Sequence, residues 1–200
     1  HRGGRFQEAA KIYRKVIARE PSNVHALHSL GLIEASAGNL AEAAKLMSRS
    51  VTLQPANADF VENYATVLCQ AGDFTKSVDV AEKGLTLRPT ANLFYIKASS
   101  LLKLGRNDQA VACYDMLLAR EPRHFAALCD RAIALAELQR LDEALASVNS
   151  AIQVMPRFAQ AHLNRGIICR KSKLLPDAIA SFETALQLDD RLASAWLGFG

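Results

Sequence analysis

"VHALHSLGLIEASAGNLAEAAKLMSRSVTLQPAN" (residues 24–57) contains two segments of helical periodicity, joined by a turn and followed by a proline. The apolar side chains that recur at three- and four-residue spacing are Leu27, Leu30, Ile33, Leu40, Ala43, Ala44, Met47 and Val51. Glycine in "AGN" (37–39) is typical of a helix C-terminus. Pro55 cannot continue a helix because it lacks an N–H donor. The stretch therefore predicts two helices with a tight turn between them.

Prolines repeat along the chain in phase with this stretch. They fall at Pro21, Pro55, Pro89, Pro122 and Pro156, which gives spacings of 34, 34, 33 and 34 residues. A small residue lies twelve positions before each proline, and before Asp190 where a sixth proline is due: Ala9, Ala43, Ser77, Ala110, Ala144 and Ala178. The single 33-residue interval predicts a shortened turn and a local change of twist between residues 87 and 93.

The first half of each unit repeats as well, with a large or apolar residue followed four positions later by Gly or Ala. The aligned phrases are "LHSLG" (27–31), "VENYA" (61–65), "FYIKA" (94–98), "LCDRA" (128–132), "HLNRG" (162–166) and "WLGFG" (196–200). With the later Ala, aromatic and Pro positions, this 34-residue pattern resembles the tetratricopeptide repeat along the whole chain. The resemblance implies an all-α, right-handed α-solenoid (superhelix) of helix-turn-helix repeats.

The alignment assigns a single repeat array to residues 1–200. Its parts are the second helix of a partial repeat (1–23), five full repeats (24–57, 58–90, 91–124, 125–158 and 159–192) and the start of a further repeat (193–200). Trp196 would open the first helix of that further repeat. We therefore expect the chain to be a fragment of a longer array.

Small residues mark the places where neighbouring helices are expected to approach closely. These positions are Gly31, Ala65, Ala98, Ala132 and Gly166 in the first helices, and Ala43, Ala110, Ala144 and Ala178 in the second. Stacked copies then bury one continuous core, since a single pair of helices cannot cover its own apolar face. Asn39, Asn107 and either Asp73 or Thr75 are expected to cap second helices.

By the same resemblance, the first helices line an inner groove that binds partner proteins. The candidate partner-binding residues are His25, His28, Asp59, Glu62, Asn63, Thr66, Asn92, Tyr95, Lys103, Asp130, Gln160, Asn164 and Lys171. In many members of the family, the sixth residue of a repeat is an asparagine that bonds to the backbone of an extended peptide. Asn63 and Asn164 match that position, whereas Ser29, Ile96, Asp130 and Gly198 do not. The alternative for each position is an ordinary solvated surface.

Two local clusters are open to more than one interpretation. His25 and His28 precede Asp59 and Glu62 by 34 residues, and nearby carboxylates favour the protonated form of histidine. The four side chains could form a pH-sensitive or metal-binding patch, or only loose surface ion pairs. The basic residues within 170–173 could complement a helix C-terminus or receive an acidic peptide.

Composition and motifs exclude several classes of function. The formal net charge is only +4 and is dispersed, which argues against nucleic-acid binding. No apolar run reaches the ~20 residues of a membrane span. The four cysteines form no CxxC pair, and no phosphate-binding loop, HExxH motif or nucleophile elbow occurs. We predict no cofactor, no metal and no catalysis, and a cytoplasmic location.

The predicted function is a scaffold that binds a peptide or helix of a partner protein. An alternative is the substrate-recruiting region of a larger enzyme. "RLDEALASVNSAIQVMPRFAQAHLNRG" (140–166) resembles the arrays of bacterial proteins that carry a glycosyltransferase domain, a layout shared with O-linked N-acetylglucosamine transferase. A carboxylate clamp for chaperone tails is excluded, because no three consecutive repeats supply its Lys, Arg and Asn. Exposed apolar array ends also predict self-association.

Overall fold

The structure is a computed structural model that describes residues 2–192, with side chains from Phe6 onward, and this range forms eleven α-helices and no strand. The predicted all-α fold of helix-turn-helix units is confirmed. Trp196 and the further repeat expected after it lie outside the described residues. The helices are α1 (Arg2–Arg19), α2 (Val24–Ser36), α3 (Leu40–Leu53), α4 (Ala58–Gln70), α5 (Phe74–Leu87), α6 (Ala91–Lys103), α7 (Asn107–Leu118), α8 (Phe125–Glu137), α9 (Leu141–Val154), α10 (Ala159–Lys171) and α11 (Leu175–Leu188).

The turn at the 33-residue interval has three residues, the fewest of any turn between a second helix and the next first helix within residues 2–192. Residues 88–90 separate α5 from α6, whereas residues 54–57 separate α3 from α4 and residues 155–158 separate α9 from α10. The shortened turn expected from the proline spacing is therefore confirmed. The change of twist and the repeat boundaries stay predictions.

The helices form two compact units, which divide between Leu104 and Gly105. In the N-terminal unit, α2 packs against α1, α3 and α4, and α4 packs in turn against α5 and α6. In the C-terminal unit, α10 packs against α8, α9 and α11. Each unit has its own buried apolar clusters, such as the one around Leu27 and Leu30 and the one around Leu128 and Ala151.

The small-residue positions are sites of close helix packing, as predicted. A Cβ atom on Gly31 would lie 2.8 Å from Met47 Cγ on α3, and one on Gly166 would lie 2.4 Å from Phe182 Cε1 on α11. Real Cβ atoms do not come this close, so only glycine fits without movement of the partner side chain. The alanines expected at the same kind of contact are almost completely buried: Ala43, Ala65, Ala98, Ala110, Ala132, Ala144 and Ala178.

The turn after each first helix uses a left-handed residue. Gly38 adopts φ 84° after α2, and this conformation lets its N–H and that of Asn39 bond back to the helix end. The corresponding residues after α8 and α10 are Gln139 and Lys173, with φ values of 60° and 61°. A side chain with a Cβ atom is strained in this region, so these two turns carry a local cost.

Of the residues expected to cap second helices, only some do so. Asp73 caps α5 as expected, through its Oδ1 and the N–H of Lys76. Asn107 does not cap α7, because it lies inside the helix and Arg106 occupies the cap position. Asn39 stands at the cap position of α3, but its side-chain amide donates to Glu34 Oε2 at 2.8 Å instead.

The caps of the first helices were not predicted, although they follow the repeat period. Asn23, Asn57, Thr90 and His124 each accept a hydrogen bond from the backbone N–H three residues later. Phe158 occupies the equivalent position before α10 and makes no such bond. The signal was present in the sequence as a polar residue one or two positions after Pro21, Pro55, Pro89 and Pro122.

Candidate partner-binding face

The predicted partner-binding residues lie on first helices that contact one another within each unit. α4 contacts both α2 and α6 in the N-terminal unit, and α10 contacts α8 in the C-terminal unit. We call the surface carried by α2, α4 and α6 the N-terminal face, and the surface carried by α8 and α10 the C-terminal face. Each face belongs to its own unit.

Asn63 on the N-terminal face is held by a histidine from the neighbouring helix. Its Nδ2 donates to Nε2 of His28 at 3.1 Å. His28 is only 7% exposed, and its ring stacks on Phe60 with ring centroids 4.1 Å apart. His25 meets the same phenyl ring edge-on at 5.9 Å. His28, stacked on Phe60, therefore fixes the position of the Asn63 amide.

The expected pairing of these histidines with carboxylates is wrong for His28. Burial lowers the pKa of the His28 ring below its ordinary value, and the opposing influence of Asp59 is smaller. The neighbourhood therefore favours neutral imidazole, not the protonated form. The part of the chain that the structure describes also holds no group of three or more His, Cys, Asp or Glu side chains placed to bind a metal ion.

The carboxylates of Asp59 and Glu62 bond to residues in and just after the shortened turn before α6. Arg88 donates to Asp59 Oδ1 at 2.5 Å and lies 3.5 Å from Glu62 Oε2. Glu62 also accepts from Thr90 Oγ1 at 3.1 Å and from Asn92 Nδ2 at 2.8 Å. Three of the predicted binding residues thus form one hydrogen-bonded cluster. Because its bonds are internal, Glu62 primarily orders this turn.

The other candidates on the N-terminal face lie farther along the helices. The Thr66 hydroxyl donates to the backbone carbonyl of Glu62 at 2.9 Å, within its own helix. Tyr95 is half-buried in α6, and Lys103 is exposed at the last residue of that helix. The structure does not bring Lys103 into the cluster around Glu62.

The C-terminal face carries the remaining candidates. Asn164 is 8% exposed, and its Oδ1 accepts from Gln160 Nε2 at 3.0 Å. Lys171 forms an ion pair with Glu137 at 2.8 Å, which joins the ends of α10 and α8. Asp130 accepts from the Tyr114 hydroxyl at 3.3 Å. Gln160 and Asn164 therefore lie together, whereas Asp130 and Lys171 have separate partners.

Each face also exposes one large apolar side chain. Leu32 on α2 is 40% exposed and Ile133 on α8 is 37% exposed, and both occupy the ninth position of a repeat. Most leucine and isoleucine side chains in the two cores are almost completely buried. The faces thus combine polar groups with an apolar contact point.

A periodic set of basic residues joins consecutive repeats and was missed at the sequence level. Lys97 pairs with Glu82 at 3.4 Å, and Arg131 pairs with Asp115 at 2.6 Å. Arg165 donates to Asn149 at 3.0 Å, from a first helix back to the preceding second helix. The signal was the basic residue before the small one in "FYIKA", "LCDRA" and "HLNRG".

The surroundings of Cys129 and His162 do not favour chemical reactivity. Burial raises the pKa of the Cys129 thiol to about 12, so the reactive thiolate is scarce at neutral pH. His162 is half-buried and its Nε2 donates to the backbone carbonyl of Pro156 at 2.8 Å. Every helix among residues 2–192 is too short or too polar to cross a membrane.

The chain belongs to the tetratricopeptide repeat family. The sequence model of that family matches residues 2–58, 95–154 and 151–193. A second model, described as subunit 3 of the anaphase-promoting complex or cyclosome, matches residues 36–117. No curated protein sequence matches the chain.

Solved structures share the fold at low sequence identity. The crystal structure of YrrB, described as a tetratricopeptide repeat protein with an unusual peptide-binding site, is 19% identical over 90% of this chain and 94% of its own, with a TM-score of 0.74. MamA from Desulfovibrio magneticus RS-1 is 20% identical over 92% of this chain and 96% of its own, with a TM-score of 0.75. At these identities the likeness shows the fold alone.

Proposed function

We propose that the chain is a protein-interaction scaffold whose first helices bind an extended segment or a helix of a partner protein. In this proposal the chain works by binding and not by catalysis. Membership in the tetratricopeptide repeat family supports the general role. The high pKa of Cys129 supports the absence of a thiol nucleophile on the C-terminal face.

The proposal rests on the hydrogen bonding of Asn63 and Asn164, the two asparagines at the sixth position of a repeat. Asn63 uses its Nδ2 in a bond to His28, and Asn164 uses its Oδ1 in a bond from Gln160. Among the described residues, neither Asn63 Oδ1 nor Asn164 Nδ2 has a hydrogen-bond partner. Each amide is therefore oriented in advance and retains one end for a partner, which lowers the entropic cost of binding.

The chemistry of the faces favours a peptide backbone as the ligand. A backbone offers N–H donors to an amide oxygen such as Asn63 Oδ1 and C=O acceptors to an amide nitrogen such as Asn164 Nδ2. Leu32 on the N-terminal face and Ile133 on the C-terminal face add exposed apolar area, which can receive an apolar side chain of a segment bound to that face. A partner segment that carries an apolar side chain next to free backbone groups fits either face.

Capture on an array of synthetic peptides, probed with the purified chain, tests the proposal. We expect wild-type protein to bind a subset of peptides and the variant Asn63→Ala/Asn164→Ala to lose about tenfold in affinity for them, since each lost hydrogen bond contributes about 0.5–1.5 kcal/mol. The matched control is Gln153→Ala, an exposed amide on second helix α9. Equal capture by the double variant and the control would contradict the proposal.

A further inference from the structure

We propose that His28 sets the direction of the Asn63 amide on the N-terminal face, so that protonation of His28 exchanges the donor and the acceptor presented to a partner. The inference rests on the proposed function only for its consequence in binding. The orientation itself is a property of the free chain.

The hydrogen bond between the two side chains fixes the proton on the histidine ring. Asn63 Nδ2 is an amide nitrogen, which can donate but not accept. It lies 3.1 Å from His28 Nε2, so that ring nitrogen is the acceptor and carries no proton. The neutral ring therefore holds its proton on Nδ1. In this state the Oδ1 atom of Asn63 is the amide end left for a partner.

Protonation of the His28 ring exchanges the donor and acceptor roles in its hydrogen bond with Asn63. Both nitrogens of imidazolium are donors, so Nε2 can no longer accept from Asn63 Nδ2. A half-turn of the Asn63 amide restores the bond, with Nε2–H donating to Oδ1. The amide end left for a partner then changes from an acceptor to a donor. A bound strand that donates an N–H at neutral pH would have to offer a C=O in acid.

The surroundings of His28 prevent the ring from adapting in another way. The residue is 7% exposed and its ring is stacked on Phe60, so a flip of the ring would break close packing. Its Nδ1 is buried and has no hydrogen-bond partner among the described residues, so Asn63 is the one polar contact that can respond.

The groups that act on the ring are few. Asp59 on α4 raises the pKa of His28 and His25 on α2 lowers it, while α1 and α3, which also pack on α2, contribute no described charged group that acts on it. Burial is the largest influence and lowers the pKa. The exchange is therefore expected below the ordinary histidine pKa of about 6.5.

Nitrogen-15 NMR of the histidine rings and of the asparagine side-chain amides, followed from neutral to acidic pH on the full chain, tests this inference without a partner. We expect His28 to carry its proton on Nδ1 at neutral pH and the Asn63 amide signals to shift with the His28 transition. A proton on Nε2 at neutral pH, or Asn63 signals that ignore this transition, would overturn the inference.

Two variants separate orientation from simple packing. Asn63→Asp places an acceptor-only group against the ring, so the His28 midpoint should rise by about 1–3 pH units, because a nearby carboxylate stabilises imidazolium. Asn164→Asp in the other unit is the matched control and should leave that midpoint unchanged. Equal His28 midpoints in the two variants would refute the contact between His28 and Asn63.

The two proposals can fail separately. If wild-type protein captures peptides but the Asn63 amide signals show no pH transition, this inference is wrong and the proposed function stands. If the Asn63 signals show the transition but no peptide is captured, the proposed function is wrong and this inference stands.

Discussion

Replacement of Gly166 by alanine tests the contact between α10 and α11 most sharply. The added Cβ would lie 2.4, 2.5 and 2.9 Å from three atoms of the Phe182 ring, whereas carbon atoms pack at about 3.5–4.0 Å. Phe182 is 7% exposed and belongs to a buried cluster, so its ring must move against packed neighbours. Such overpacking costs about 1–3 kcal/mol, while alanine in place of glycine gains about 0.5–1 kcal/mol in helix propensity. The expected net loss therefore lies between about 0 and 2.5 kcal/mol, and the close approach of the Cβ atom to the ring favours the upper half of that range.

Urea unfolding followed by circular dichroism measures this loss, and a double-mutant cycle with Phe182→Leu locates it. The smaller, flexible leucine leaves room for the added methyl group, so the cost of Gly166→Ala should fall by about 1 kcal/mol or more in the Phe182→Leu background. Stabilisation by Gly166→Ala in the wild-type background would refute the close packing of α10 on α11 at this residue.

Further predictions concern packing, turn geometry, capping and association. Ala144→Phe and Ala178→Phe should each cost about 1–3 kcal/mol in urea unfolding, because both alanines are nearly fully buried, and unchanged midpoints would show the register to be wrong. Lys173→Gly should stabilise the chain by about 1 kcal/mol in the same assay, since it relieves φ 61°; destabilisation would contradict the turn geometry. Asp73→Ala should cost about 1 kcal/mol through loss of the α5 cap. Lys76 lowers the pKa of Asp73, so this cost should be complete above pH ~4 and shrink as the pH falls; a cost independent of pH would argue against the cap. Ile12 is 60% exposed on α1 and should promote self-association at high protein concentration. Light scattering should therefore show a lower mass for Ile12→Lys than for wild type. Equal masses would show that Ile12 does not contribute to self-association.

Helix positions could be predicted closely from the sequence because the period constrains every repeat at once. The same period explains the error at Asn107. Residue preference favoured asparagine as a cap, but the register set by Asp73 in the preceding repeat places Arg106 there. Packing of the helix pairs thus decides the first turn, and the local preference of one side chain does not override it.

The polar contacts of the N-terminal face could not be predicted in the same way. A 34-residue offset pairs His28 with Glu62, yet the ring bonds to Asn63, one residue farther along α4. Glu62 instead meets Thr90 and Asn92 across the shortened turn. Repeat spacing gives which helices are neighbours. It does not give the small stagger between them, which selects the partner of each side chain.

The most direct test of the proposed binding faces is an NMR titration of the chain with the peptide that binds most strongly on the array. We predict that the side-chain amide signals of Asn63 and Asn164 shift on saturation, while that of Gln153 on α9 stays in place. Shifts confined to the second helices, with both asparagines unmoved, would contradict binding on the first helices.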